Sequence, residues 1–452
     1  MTTTSLDPAS TAQQLATAYT TNAQALLTTK TKEAQATSTA LTKMRSALTT
    51  FDSAIASLSA KKSVIKFAAT FSSTANGTAT ASATAQPGSY SFFVEKLAST
   101  HQVAFANMAD AAETGTLGLS LADGTSFSVN FSGADADSNG QLSPAEMARA
   151  INNTAGNAGS VVASVITSGG STQLVLSSGK SGAGGAVSLD TSGLTDATLK
   201  TKLAGGNTLV AAQDAVVWLG DQTTGVRMQQ SSNTFTAVQG VTINFTKAMA
   251  TGEAPVTLTV TNDSSGTASN VRSFVDAYNA LRSTLADLTK TANKDTGAAA
   301  GAFASDASVR SMISRLGNMV RQEVGGMKLA DYGITLDRSG QMQLDATKLE
   351  KALAAKPTGL DTLFGSSSAT APSGIFGAID KYLEQWTNSA NGQIKARQDS
   401  VALTQKSLTS RQTRLDTQYD NLYQRYLAQF TKLQTLQQSM SETTNLFTSL
   451  SS

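Results

Sequence analysis

The chain has 452 residues, among them 34 lysine or arginine and 32 aspartate or glutamate residues, one histidine and no cysteine. Its formal net charge of +2 favours neither nucleic acid nor an acidic membrane as a partner. Because the chain has no cysteine, disulfides and Cys-based chemistry are excluded. Because it has only one histidine, multi-histidine metal sites are excluded as well. Carboxylate pairs and Ser/Lys dyads stay open, although nothing marks a particular pair, so we expect a protein that is not an enzyme.

Charged residues make up 15% of the chain, below the roughly 25% of average soluble domains. An uncharged polar surface favours dense protein assembly. The first residues lack the basic and apolar stretches of a Sec-type signal peptide. The apolar runs are shorter than the roughly 18 residues of a membrane span, so we expect none.

A heptad pattern of apolar residues marks the N-terminal part of the chain. Its members alternate in steps of three and four: Leu41, Met44, Leu48, Phe51, Ile55 and Leu58. No proline or glycine interrupts Ser10 to Ser59, which predicts one long helix with a coiled-coil face. Lys30 and Thr37 interrupt the pattern upstream, so we expect the first turns to depend on a partner for order.

The C-terminal part repeats this design in two rows of residues seven apart. The rows are Val401, Leu408, Leu415, Leu422, polar Gln429 and Leu436, and Tyr419, Tyr426, Leu433, Met440 and Phe447. One such stripe is more often the core of an ordinary bundle. Long helices at both ends of one chain favour a stalk in which the two helices pack together and offer their other apolar residues to neighbouring subunits.

Between these helices, β-branched and aromatic residues alternate, which predicts a β-rich head. Thr78 to Val94, broken by Pro87 and Gly88, indicates a hairpin or paired strands. Further strands are expected at Thr125 to Phe131, Ser160 to Ile166, Thr172 to Ser178, Val216 to Gly220, Val241 to Phe245 and Pro255 to Val260. Gly179 to Ala186 lacks the order of a phosphate-binding loop and is interpreted as a turn.

Helical periodicity returns at about Ala268. A second helix follows with Ser305 and Asp306 as candidate caps, and Tyr332 to Asp345 indicates a small hairpin around the turn DRSG.

The segment DADSNGQLSPAE fits the calcium-loop pattern D-x-[DN]-x-[DN]-G-x5-E at every specified position. Calcium prefers six to eight oxygen ligands. The predicted ligands are the carboxylates of Asp135 and Asp137, the amide oxygen of Asn139, the backbone carbonyl of Gln141, a water molecule on Ser143 and both oxygens of Glu146.

The same residue types also build ordinary tight turns. A strand precedes this loop where an EF-hand would have a helix, so the expectation is a structural Ca2+ site in a strand-loop-helix unit. His101 lies beside a strand and is interpreted as structural.

A series of segments resembles the flagellar filament cap family, FliD or hook-associated protein 2. It comprises SSNTF followed by QGVTINF, then FVDAYNAL, then YGITLDRSGQMQLD, together with helical ends. The resemblance covers nearly the whole chain in the family's order, although SLDPAS stands in place of the family's glycine-rich opening.

The resemblance implies an α+β fold with a coiled-coil stalk, a mixed helical domain and two β-rich head domains, one inserted in the other. The implied domains are 1–75 (N-terminal leg), 76–105 and 206–263 (inner head), 106–205 (inserted outer head), 264–375 (mixed α/β domain) and 376–452 (C-terminal leg).

The resemblance also implies an extracellular homo-oligomeric cap at the filament tip, exported through the flagellar type III channel. Its implied partners are other copies of the chain, flagellin, the hook-filament junction proteins and an export chaperone. Two alternatives stay open: a junction protein, which should lack FVDAYNAL and the DRSG hairpin, and a calcium-stabilised surface adhesin.

Overall fold

The computed structural model describes residues 7–450, so the first two residues of SLDPAS, Ser5 and Leu6, lie outside the described residues. The chain forms two compact units. The helical unit comprises the chain up to Ile65 and from Thr267 onward, and the strand-rich unit is Lys66–Gly266.

The helices of the described chain follow in order. They are α1 (Pro8–Ala60), α2 (Pro144–Asn153), α3 (Ala197–Ala204), α4 (Ser264–Thr289), α5 (Ala307–Met319), α6 (Ala346–Ala355), α7 (Gly359–Phe364), α8 (Gly374–Thr387) and α9 (Gln393–Leu450). Asp7 caps α1, with its carboxylate accepting from the Ala9 and Ser10 amides, and Pro8 suits the first helical position. Of the two predicted caps of α5, Asp306 is the N-cap.

Most strands lie between α1 and α4, and the last two lie between α5 and α6. The strands are β1 (Phe67–Phe71), β2 (Gly77–Ala81), β3 (Gly88–Lys96), β4 (Thr100–Phe105), β5 (Thr116–Leu121), β6 (Ser126–Asn130), β7 (Val161–Ser168), β8 (Ser171–Ser181), β9 (Val187–Asp190), β10 (Asn207–Val210), β11 (Ala215–Leu219), β12 (Val226–Gln230), β13 (Thr234–Phe235), β14 (Val241–Phe245), β15 (Val256–Asn262), β16 (Ile334–Leu336) and β17 (Met342–Leu344).

An aromatic cluster forms the core of the helical unit. Phe51 of α1 lies against Phe274 of α4, with ring centroids 6.0 Å apart. The Phe274 ring also meets Phe364 and Phe376 at 5.2 and 5.5 Å. All six residues of the predicted N-terminal heptad face, Leu41, Met44, Leu48, Phe51, Ile55 and Leu58, are buried, which confirms that face. The predicted DRSG hairpin is confirmed as β16 paired with β17.

The strand-rich unit has two hydrophobic cores. One lies under the sheets β1-β15-β3-β11-β12 and β13-β14-β2. The other lies between the sheets β10-β4-β8-β7 and β6-β5-β9 with helices α2 and α3. The residues of the second core fall between the two chain segments that build the first. The fold is therefore α+β with one β-rich domain inserted in another, as expected.

Two local predictions differ from the structure. β2 and β3 do not pair with each other, because β2 pairs with β14 and β3 lies between β15 and β11. Three consecutive buried residues, Phe92, Phe93 and Val94, make β3 a central strand that needs a neighbour on each side. The glycine-rich segment is only partly a turn, since β8 extends through Ser181 and a 3-10 turn follows at Ala183–Gly185.

Candidate functional site

Helices α1 and α9 pack side by side in opposite directions. The side-chain amides of Gln24 and Gln412 exchange hydrogen bonds of 2.7 and 3.1 Å, and Gln405 donates to Gln35 at 3.2 Å. The face of α1 toward its start buries small residues, Ala12, Ala16 and Thr20. Small residues allow two helices to approach closely, so the predicted pairing of the terminal helices is present within one chain.

The C-terminal heptad rows divide into a buried and an exposed part. Leu408, Leu415 and Leu422 are each 8% exposed. From Leu433 onward the rows are exposed: Leu433 41%, Leu436 56%, Met440 63% and Phe447 68%. The antiparallel pairing explains the difference, because the described part of α1 begins alongside the middle of α9. The last turns of α9 therefore have no described residue of α1 against them.

The other side of α1 near its start also carries apolar residues in solvent. Leu15, Tyr19 and Leu26 are 41%, 65% and 61% exposed. Burying one large apolar side chain contributes about 1.5 to 3 kcal/mol. Together with the end of α9, these residues leave a large part of the terminal helices available to another chain. We call the residues Leu15, Tyr19, Leu26, Leu433, Leu436, Met440, Leu446 and Phe447 the exposed leg residues.

The predicted calcium loop joins β6 to α2, the strand-loop-helix order expected. Carboxylate oxygens of Asp135, Asp137 and Glu146 lie within 4.8 Å of one another. Asn139 sits between them, with its Nδ2 donating to Asp137 Oδ2 at 3.0 Å and its Oδ1 accepting from the Gln141 amide at 2.7 Å. This geometry brings the three predicted carboxylate ligands to one side of a turn.

Backbone amides hold the loop in shape. Asp135 Oδ2 accepts from the Gly140 amide at 2.8 Å, and this hydrogen bond lowers the pKa of Asp135. Gly140 has φ +81°, a left-handed conformation that glycine adopts without a Cβ clash. The turn that the motif assigns to this glycine is present.

Glu146 has a second structural role that the motif alone does not reveal. Its Oε1 accepts from the Ala136 amide at 2.8 Å, and its Oε2 accepts from the Ser143 amide and hydroxyl at 2.9 and 2.8 Å. The Ser143 amide is the largest cause that lowers the pKa of Glu146 to about 2. Ser143 and Glu146 form a capping box at the start of α2. The S-x-x-E spacing in the sequence would have been sufficient to find it.

The lone histidine is part of the fold. His101 is buried in β4, and its Nδ1 accepts from the Val187 amide at 3.0 Å, tying β4 to β9.

A half-buried acidic pair gave no signal in the sequence. Asp52 of α1 lies near Asp380 of α8, and the Asp52 Oδ1 atom is buried without a hydrogen-bond partner among the described residues. Burial, followed by the charges of Asp380 and Glu384, raises the pKa of Asp52 to about 6. Asp52 directly follows Phe51 of the heptad face, a position at which charged residues are common.

Within residues 7–450, no helix is long and apolar enough to cross a bilayer.

Comparison with known proteins assigns these helices and heads to a family. Residues 4–101 match the model of the flagellar hook-associated protein 2 N-terminus, and residues 212–442 match that of its C-terminus. The lateral flagellar hook-associated protein 2 of Vibrio parahaemolyticus is 34% identical over 370 residues, covering 80% of this chain and 81% of that protein. Flagellar hook-associated protein 2 of Escherichia coli K12 is 31% identical over 431 residues, covering 90% and 87%.

A solved structure agrees with this result. The crystal structure of the D1-D2-D3 domains of the Escherichia coli flagellar cap protein FliD is similar, with a TM-score of 0.64 and 28% identity. The match covers 80% of this chain and 99% of that one. The heptad helices, the inserted β-rich head and the DRSG hairpin are thus features of one known family. The chain belongs to the flagellar hook-associated protein 2 (FliD) family.

Proposed function

We propose that this protein is a structural, non-enzymatic assembly factor that caps the tip of the flagellar filament as a homo-oligomer and promotes the insertion of flagellin. Its place would be outside the cell, reached through the flagellar export channel with the help of a chaperone, next to flagellin and above the junction proteins. Family membership supports the cap role, and the exposed leg residues supply the surface on which the proposal depends.

The exposed leg residues explain how a cap can be held while subunits pass beneath it. A single chain leaves these apolar side chains in water, and a neighbouring helix at the filament tip would bury them. Because each contact is a separate side chain on a helix, contacts can break and re-form one at a time. The low charge of the chain, 15% of residues, keeps repulsion between packed subunits small.

A complementation experiment tests this surface. In a strain that lacks the gene, the variant Leu433→Gln, Met440→Gln, Phe447→Gln should fail to restore motility, and flagellin should appear in the medium. These residues are exposed in one chain, so the melting temperature of the isolated protein should stay near that of the wild type. Val226→Gln, which replaces an equally exposed residue (63%) of the strand-rich unit, is the matched control and should complement.

Normal swimming with the triple variant would contradict the proposal. Motile but non-adherent cells after deletion of the gene would instead support the adhesin alternative. Family membership, together with FVDAYNAL and the DRSG hairpin, speaks against the junction-protein alternative.

We also propose that the loop from Asp135 to Glu146 binds Ca2+ as a structural ion. Three carboxylates with oxygens within 4.8 Å of one another support this, because their mutual repulsion would be offset by a dication. The carboxylate oxygens of Asp135 and Asp137 have further lone pairs beyond the hydrogen bonds described above, whereas Glu146 Oε2 already accepts two hydrogen bonds from Ser143. The ion would tie the end of β6 to the start of α2.

A further inference from the structure

A polar cavity of about 260 Å3 lies in the helical unit between α4, the end of α5 and the β16–β17 hairpin. Its wall is formed mainly by polar side chains: Tyr278 and Arg282 of α4, Ser314 and Asn318 of α5, Arg321 just after α5, and Asp337, Arg338 and Ser339 of the hairpin turn. Pockets that hold drug-sized ligands usually measure about 300 to 1,000 Å3. This cavity therefore suits a small group.

Three arginine residues line this cavity: Arg282, Arg321 and Arg338. In residues 7–450, none of Arg282, Arg321 and Arg338 lies within ion-pair distance of a carboxylate. Arg282 is held in place, since its Nη2 donates to the Ser339 carbonyl at 3.1 Å. A Cβ at Gly340 would lie 2.8 Å from Arg282 Nε, so glycine at this turn lets the guanidinium lie close over the hairpin.

Asp337 is the one acid among the lining residues, and its carboxylate accepts hydrogen bonds from residues of its own turn. Its Oδ1 accepts from the Ser339 amide and hydroxyl and from the Gln341 amide at 2.8, 2.6 and 2.9 Å. These bonds, the Ser339 hydroxyl first, lower the pKa of Asp337. Three positive charges therefore face one negative charge.

Tyr278 adds a second, independent observation. The residue is 2% exposed, and its ring packs against Phe51 with centroids 6.1 Å apart. Its hydroxyl makes no hydrogen bond to the described side chains and backbone groups, and Tyr278 forms part of the cavity wall, so this donor is available to a group in the cavity. An acceptor in the cavity would satisfy this donor.

We propose that the cavity binds an oxyanion, a carboxylate or a phosphate, held by the three guanidiniums and the Tyr278 hydroxyl. Arginine is suited to such groups because its planar fork donates two hydrogen bonds at once. The anion is either free in solution or an acidic side chain of a neighbouring copy. This site does not depend on the capping proposal.

Calorimetric titration of the purified full chain with inorganic phosphate, and separately with succinate, tests the proposal at matched ionic strength. Arg321→Gln with Arg338→Gln should weaken binding of either anion by at least about tenfold, given what hydrogen bonds to charged groups contribute. Tyr278→Phe should weaken it less while keeping the ring. Arg272→Gln removes the same charge from an exposed position of α4 outside the cavity and should bind like the wild type.

No heat of binding in the wild type, or equal binding by the double variant, would overturn the proposal. Comparison with the Arg272→Gln control separates a specific site from the general stabilisation that phosphate gives to folded proteins. Sedimentation then distinguishes the two sources. Loss of the oligomer in the double variant assigns the site to an acidic side chain of a neighbouring copy, and an unchanged oligomer assigns it to a free anion.

Discussion

The acidic pair between α1 and α8 gives the sharpest quantitative prediction. The pKa of Asp52 rises from an ordinary 3.8 to about 6 in the folded chain, first through burial and then through Asp380 and Glu384. The folded protein thus holds a proton that the unfolded chain releases above about pH 4. Stability from this group is fully present below that pH and is lost as the pH rises through about 6.

The magnitude follows from the linkage between protonation and folding. A pKa difference of about 2 corresponds to about 3 kcal/mol, and solvent screening of this partly buried group reduces the value to about 1–2 kcal/mol. Asp52→Asn removes the ionisation, and its amide can donate to Asp380. The variant should equal the wild type in stability at pH 4 and exceed it by about 1–2 kcal/mol at pH 8.

Urea unfolding between pH 4 and 8 measures this difference. The chain has two tryptophans, and Trp386 is buried in the helical unit. In a Trp218→Phe background its fluorescence reports that unit alone. Asp276→Asn, an exposed substitution on α4, should show no such pH-dependent gain. A constant difference between the Asp52→Asn variant and the wild type across this pH range would refute the reasoning.

Three further predictions concern the legs and the loop. Calcium at a hundred times its dissociation constant should stabilise the strand-rich unit by about 2.7 kcal/mol in melting experiments. Asp137→Asn removes one of the three carboxylate charges, although the motif accepts asparagine there, and should reduce the gain; Asp110→Asn should keep it. Equal melting with and without chelator would refute the calcium proposal. Amides in 10–27 and 431–450 should exchange rapidly with deuterium in the soluble form, and strong protection in a monomer would count against conditional order. Truncation after Asn391 should abolish capping, while the circular dichroism spectrum of the truncated protein should still show its strands. Filaments of normal length in a strain that produces only the truncated protein would contradict this prediction.

The choice of Asp137 for the calcium test comes from the structure. Glu146→Ala would also remove a predicted ligand, but it would change the stability of the metal-free protein as well. Glu146 accepts from the Ala136 and Ser143 amides and closes the capping box of α2. Loss of a helix cap costs about 0.5 to 2 kcal/mol even without metal. Asp137 is exposed and keeps its shape as asparagine.

The terminal helices and most strands were predictable because their signals are local. A heptad places Leu41 and Leu48 on one face whatever the rest of the chain does, and alternation identifies β14 and β15. Strand pairing was not predictable, since β2 finds β14 across more than a hundred intervening residues. No local sequence pattern indicates that these two strands pair.

The proposed oxyanion site was not predictable for the same reason: its residues are far apart in the sequence. Arg282, Arg321 and Arg338 come from a helix, a helix end and a turn, and no spacing in the sequence connects them. The candidate calcium loop could be proposed from the sequence because all of its predicted ligands lie within one short segment. Asp52 had no local signal, because charges commonly flank a heptad face, and its partner Asp380 lies on α8, far along the chain.

The position of the protein on the filament tests the capping account most directly. Purified filaments should be labelled with gold-conjugated antibodies against residues 66–266 and viewed by electron microscopy, with filaments from the deletion strain as the control. The account predicts gold at the distal tip of each filament. Gold at the junction of hook and filament, or spread over the cell surface, would contradict it.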